Sequence, residues 1–223
     1  MEQMDTITQF KENTALVSSV VHKVKTIEQA LETAVSICKT TEISHCLAPS
    51  ENEAPAPQGE DEKQKTLAAH DLDAPSFKIL EALCHQNNIA LVTDNLRNHG
   101  NGIHVGVTFA DFGIAETGTL VINSDSEEKR LITMISDVHV AILPVSNIRE
   151  TALDMVDELE GLISNPSSYT AFITGPSRTA DIERVLAIGV HGPLELHIVL
   201  LENQKPTPKP GTPEPDTAEP DRS

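Results

Sequence analysis

Six short apolar runs, at 89–92, 103–109, 119–122, 138–143, 169–173 and 196–201, constrain the fold of this chain more than any other feature. Each run has four to seven residues, is rich in Val and Ile, and is bounded by polar or turn residues, as strands are. The runs are nearly continuous in apolar character rather than alternating, so both faces of the sheet they build must be covered. Segments with helical spacing at 148–162 and 179–186 separate the later runs. Strands alternating with helices predict an α/β protein, three layers deep, with a largely parallel sheet. The closely set runs between 103 and 122 allow a hairpin excursion instead.

Ahead of the runs, 8–38 has helical spacing with two apolar faces, Ala15/Leu16/Val20 and Ala30/Leu31/Ala34/Val35, which predicts two helices. Ser76 is placed to cap a helix over 76–86, with Phe77, Leu80 and Leu83 on one face. Proline placement divides the remainder. Of the 14 prolines, four fall in 47–75 and six in 202–223. Both stretches have too few large apolar groups to offset the entropy of ordering them. The expected organisation is therefore N-terminal helices over 1–46 packing on the domain, a flexible proline-rich insert over 47–75, a core over 76–201 and a disordered proline-rich tail over 202–223.

Composition narrows the function classes. Acidic residues number 34 against 16 basic ones, a formal charge of -18, which argues against nucleic acid and anionic lipid as partners. No stretch of eighteen apolar residues occurs, so no membrane insertion is expected. The three cysteines, Cys38, Cys46 and Cys84, form no CxxC pair and fall short of the four thiolates a cubane cluster usually takes. This chain is therefore expected to bind no iron–sulphur cluster. Their irregular spacing is no disulfide framework, and the first ten residues show no secretory signal, which favours the cytoplasm.

Three stretches carry residues suited to chemistry. In 172–183, an apolar run enters the turn Gly175-Pro176-Ser177, and Ser177 or Thr179 can cap a helix with Asp181 in its first turn. Free N–H groups there, with Arg178 beside them, would hold an anion; a plain capping turn with a solvated arginine fits equally. In 106–119, Asp111 and Glu116 lie in an apolar context where burial costs energy unless they are paired. Glu116 is a candidate catalytic carboxylate, base or nucleophile, followed by the hydroxyls and permissive backbone of Thr117, Gly118 and Thr119; a carboxylate accepting N–H bonds in a tight turn is the alternative. In 189–193, His191 is flanked by Gly189, Gly192 and Pro193, on a rigid loop suited to presenting an imidazole, or to a turn hydrogen bond only. His139, one residue into the run at 138–143, reads as a satisfied core histidine, with a place facing the same pocket as the alternative. No HExxH or similar spacing marks a metal site among the nine histidines.

Four motifs in order, Ala110-Asp111 with Ile114 to Thr119, Val138 to Pro144, Thr174 to Glu183 and Gly189 to Pro193, closely resemble the lactate-utilisation (LUD) domain family in its protein C branch. The resemblance covers about 89–201 and is weak before it. It implies a three-layer α/β/α fold similar to that of sugar-phosphate isomerases and CoA transferases. It also implies a part in bacterial oxidation of L-lactate to pyruvate, as the cluster-free subunit beside two iron–sulphur protein subunits.

The resulting expectation is a small-anion, carboxylate or cofactor pocket at the carboxyl ends of the strands. It would be formed by Glu116 to Thr119, Gly175 to Thr179, Asp181, His191 and Gly192, with the cofactor unknown. Two other classes remain open: a stand-alone enzyme acting on a phosphorylated or CoA-linked small acid, with Arg178 neutralising the anion, and a non-catalytic assembly subunit.

Overall fold

The structure is a computed structural model that describes residues 5–42, 64–99, 102–164, 169–179, 187–188 and 192–202. Its centre is a six-stranded sheet in the order β1 (Val20–Val24), β12 (Glu195–Leu201), β7 (Ser136–Pro144), β4 (Ile103–Phe109), β2 (Lys65–Ala69) and β3 (Ile89–Val92). Every neighbouring pair in it is parallel. A second sheet, of four strands, runs β8 (Ile148–Arg149), β5 (Phe112–Ile114), β6 (Thr119–Ser124) and β9 (Tyr169–Ile173), and is antiparallel except where β8 meets β5. A two-residue ladder joins β10 (Arg178–Thr179) to β11 (Ala187–Ile188).

Side-chain alternation along the parallel strands sends two sets of apolar groups to opposite faces. On one face Val105, Val107, Val138, Val140, Ile142 and Val199 pack against helices α2 (Ile27–Thr40) and α3 (Ala74–Gln86). On the other, Ala141, Leu143, Leu196, Ile198 and Leu200 meet Phe10 of helix α1 (Thr6–Leu16) and Leu120 and Ile122 of β6. Helix α4 (Glu127–Ile135) completes that layer by burying Ile132 against Ala68 and Ile103. The sheet is thus covered on both faces, one side by helices alone and the other by α1, α4 and the second sheet. Each fully buried Leu or Ile contributes roughly 2 kcal/mol of transfer free energy to this arrangement.

All six apolar runs form strands, but they divide between two sheets, because 119–122 and 169–173 pair with each other rather than with the parallel set. The hairpin near 103–122 is β5 with β6, and β4 belongs to the central sheet. The two helices expected over 8–38 are separated by β1, whose Val20, Val21 and Val24 are β-branched and pair with β12; Leu16, expected on an apolar face, is 79% exposed. The insert expected over 47–75 contains β2, whose Leu67, Ala68 and Ala69 are fully buried between β3 and β4. Two alanines in succession looked too slight to order a segment, yet small side chains are what a strand pressed from both sides accepts. Residues 43–63 and the tail from 203 lie outside the described residues.

Helix α3 starts earlier than expected. Asp73 is its cap, accepting the Ser76 N–H at 3.0 Å, with Pro75 in the first turn. Helix α4, with Leu131, Ile132, Met134 and Ile135 in its C-terminal half, adds to the expected elements; the Ser126 hydroxyl caps it by accepting the Lys129 N–H. The segment expected as one helix over 148–162 begins with β8 and a short tight turn before helix α5 (Val156–Ile163).

Candidate functional site

The C-terminal end of α1 organises two of the motif turns. Asn13 Nδ2 donates to the carbonyls of Ala115 and Glu116, at 2.8 and 3.0 Å. Gly118 has φ of +64°, and a Cβ on it would stand 2.6 Å from the Thr14 nitrogen, so only glycine lets this turn lie against α1. Gly175, with φ of +79°, approaches the Val17 carbonyl in the same way. Arg178 Nη2 donates to the Val17 carbonyl at 2.8 Å and to Ser18 Oγ at 2.9 Å. The guanidinium therefore covers the negative end of α1. A chain of hydroxyls links the turns: Thr117 Oγ1 lies 2.7 Å from Thr119 Oγ1, which lies 2.7 Å from Thr174 Oγ1.

Beyond Thr174 the chain turns over a cavity of about 390 Å³ enclosed by α4, β6, β9 and the early residues of β7 and β12. Gly175, Pro176, Ser177 and Gly192 line it together with His139. The Ser177 N–H donates to the Pro193 carbonyl at 2.9 Å, which ties the two loops together. His139 is 1% exposed, with Nε2 2.8 Å from Thr108 Oγ1. Burial pushes its pKa down to about 4, so the imidazole is neutral near pH 7. Arg130 of α4 also lines the cavity, and its guanidinium has no ion pair among the described residues. Met134, Tyr169 and Phe172, all more than half exposed, line the same cavity. A forked cation, a neutral imidazole and hydroxyls within apolar walls suit a small carboxylate with an apolar remainder.

The predicted residues are thus brought together in part. Glu116 is exposed, its N–H donating to the Glu150 carbonyl at 2.9 Å, and it does not line the cavity; the hydroxyl chain to Thr174 starts at its neighbour Thr117. Thr179 stands in β10 opposite Ala187 rather than at a helix cap. Asp181, His191 and, beyond Thr179, the helix expected over 179–186 lie outside the described residues. The turn cavity flanks the N-terminal halves of β7 and β12, where His139 and Leu196 stand, and follows the end of β9 in the second sheet. Its place is therefore not the carboxyl ends of the parallel strands. Sequence reasoning missed Arg130 because the run Glu127-Glu128-Lys129-Arg130 reads as a solvated face.

The carboxyl ends of the parallel strands hold a different cavity, of about 550 Å³. Lys25 and Thr26 follow β1, His70 follows β2, Asp111 follows β4, and Asp73 and Lys129 come from the starts of α3 and α4. Of these only Asp111 was conspicuous in the sequence, as a carboxylate in an apolar setting. Its Oδ2 accepts the Asn123 N–H at 2.7 Å. Burial raises its pKa, while Lys129 and the hydrogen bond from Asn123 oppose the rise.

The sequence profile of the LUD domain matches residues 7–201. Proteins named lactate utilization protein C are similar over part of the chain. That of Bacillus subtilis is 35% identical over 105 residues, 45% of this chain and 43% of its own length. That of Oceanobacillus iheyensis is 35% identical over 102 residues, 44% of this chain and 43% of its own. That of Shouchella clausii is 37% identical over 103 residues, 45% and 44%. The matched stretch is less than half the length of these relatives. Among solved structures, a DUF162 family protein from Deinococcus radiodurans superposes with a TM-score of 0.53 over 88% of this chain and 96% of its own, at 14% identity, a likeness of fold.

Proposed function

The chain belongs to the LUD domain family, and from that premise we propose that it serves bacterial lactate utilisation, as the cluster-free subunit of an assembly that oxidises L-lactate to pyruvate. Its partners in this reading are two iron–sulphur protein subunits. The observation that carries the site is the convergence of separated motifs: Gly175 to Ser177, Gly192 and His139 share one cavity, and Thr119 touches Thr174 behind it.

In that cavity Arg130 would hold the carboxylate of a small acid, and Ser177 and the neutral His139 would hydrogen-bond its hydroxyl or keto oxygen. Tyr169, Phe172 and Met134 would cover the apolar side. Glu116 and Arg178 act in this reading by fixing the turns against α1, and His191 and Asp181, outside the described residues, remain candidates. Cys38 and Cys84 are buried, and burial raises their thiols to about 12 and about 11, so both are protonated near pH 7.

The test is deletion in the native host with complementation by wild type and by Arg130→Met. Deletion should abolish growth on L-lactate and lactate oxidation in extracts, and Arg130→Met should fail to restore either. Growth unaffected by deletion overturns the proposal. Full rescue by Arg130→Met, with both iron–sulphur partners still co-purifying, would leave the chain an assembly subunit without a lactate site.

A further inference from the structure

The cavity at the carboxyl ends of the parallel strands differs from the turn cavity in which of its charges are already engaged. Its acidic groups are mostly occupied. Asp73 caps α3 through the Ser76 N–H, Asp71 lies 3.1 Å from His70 Nε2, and Glu28 is held by the Thr26 hydroxyl. Its two lysines are less so: neither Lys25 nor Lys129 has a contact ion pair among the described residues, and Lys129 acts on Asp111 only at longer range. Asp111 is half-engaged. Its N–H donates to the Val121 carbonyl at 2.9 Å, its own carbonyl accepts Asn147 Nδ2 at 2.9 Å, and Oδ2 accepts the Asn123 N–H. The carboxylate also takes a contact from its own N–H.

The cavity therefore presents two ammonium ions and a carboxylate with acceptor capacity to spare, carried on a backbone fixed at two points. That set complements a molecule with negative charge at one end and a hydroxyl donor near it. The opening also sits where open α/β sheets present their strand ends, at the beginning of the 14-residue α2, whose dipole favours an anion. We propose that this cavity is a second binding site, for a small molecule carrying an oxyanion and a neighbouring hydroxyl, with Lys129 and Lys25 on the oxyanion and Asp111 accepting from the hydroxyl. Hydroxy acids and phosphate esters of polyols share that chemistry. The assignment uses no residue of the turn cavity and does not depend on the lactate reading.

The experiment is calorimetric titration of the full chain with D-glycerate, glycerol 3-phosphate and inorganic phosphate. Saturable binding of D-glycerate identifies a hydroxy acid site, and of glycerol 3-phosphate a phosphate ester site; either supports the proposal. Lys129→Met should weaken binding by about tenfold, a loss typical of one removed charge contact. Asp111→Asn should weaken the hydroxyl-bearing ligand several-fold while leaving inorganic phosphate no weaker. Arg130→Met removes whatever D-glycerate the turn cavity takes up and should leave the Lys129-dependent binding in place. Three outcomes overturn the proposal: no saturable heat with any of the three probes, binding that Arg130→Met abolishes, or binding that survives Lys129→Met paired with Lys25→Met. Circular dichroism melts on each variant separate lost binding from lost folding, and Lys25 is exposed enough to be replaced without loss of packing.

Discussion

The two cavities are held in place by different means. The strand-end cavity is framed by consecutive parallel strands whose ladders fix Lys25, His70 and Asp111 through backbone register. The turn cavity depends on loops that follow β9 and precede β12; the first leans on α1 through Gly175 and Arg178, and the β5–β6 turn joined to it by Thr119 and Thr174 leans on α1 through Gly118 and Asn13. A site on strand ends is as rigid as the sheet, while a site on turns is as rigid as whatever the turns lean on. Disturbing α1 should therefore damage one cavity and spare the other.

The strongest way to break that contrast is Gly118→Ala. A Cβ there meets the backbone of Asn13 and Thr14, which has no flexible end to move aside, and the residue is also held at positive φ. The combined strain and clash should cost about 3 kcal/mol in urea unfolding. Ligand binding at the turn cavity should fall with it, while oxyanion binding at the strand ends persists in the fraction that remains folded. Equal loss at both cavities would mean that the sheet, too, leans on α1.

Next in size is a pH effect centred on the turn cavity. His139 has a folded pKa of about 4 against 6.5 when unfolded, so the unfolded chain binds the extra proton between those values. Stability is thus fully present above about pH 6.5 and is lost as pH falls toward 4, at up to about 1.4 kcal/mol per unit. Burial lowers His22 and His104 as well, which adds to the same trend. Urea midpoints measured from pH 7 to pH 5 should fall, and His139→Gln should flatten the curve.

Asp111 gives the opposite sign on the other side of the comparison. Its carboxyl is raised by burial, so ionisation is unfavourable in the fold and that cost is fully present at neutral pH. Asp111→Asn keeps an oxygen for the Asn123 N–H and removes the charge. Thermal unfolding at pH 7 should show a gain of up to about 1 kcal/mol, the mark of a group retained for binding rather than for stability.

The strands at 103–109, 138–143 and 196–201 were legible because burial on two faces leaves a nearly continuous apolar run, which the edge strand at 89–92 and the second-sheet strands at 119–122 and 169–173 share with less burial at 89–92 and 169–173. β1 and β2 were not, since Val20–Val24 is interrupted by His22 and Lys23 and Lys65–Ala69 owes its burial to its neighbours. The same limit governs the sites. Gly175, Pro176, Ser177 and Gly192 announced their cavity through turn chemistry, which is local. Lys25, Lys129 and Arg130 gave no local sign, because a cation becomes part of a site only through what the tertiary fold places opposite it.

Arg178 is where a local reading and the tertiary contacts point in different directions, and its replacement has the smallest expected effect. As the basic residue of the glycine–proline turn it is the natural anion holder, yet Nη2 donates to the Val17 carbonyl and to Ser18 Oγ. Its side chain is exposed, so water can replace both bonds at little cost. Arg178→Ala should lower stability by about 0.5 kcal/mol and loosen the α1 end without changing the net charge that lines the turn cavity. If a carboxylate ligand of the turn cavity is bound by Arg130, Arg178→Ala should leave its affinity within about twofold, well under the 1.4 kcal/mol that a tenfold change represents. A tenfold or greater loss with Arg178→Ala, at unchanged stability, would move the anion-holding role from α4 back to the turn.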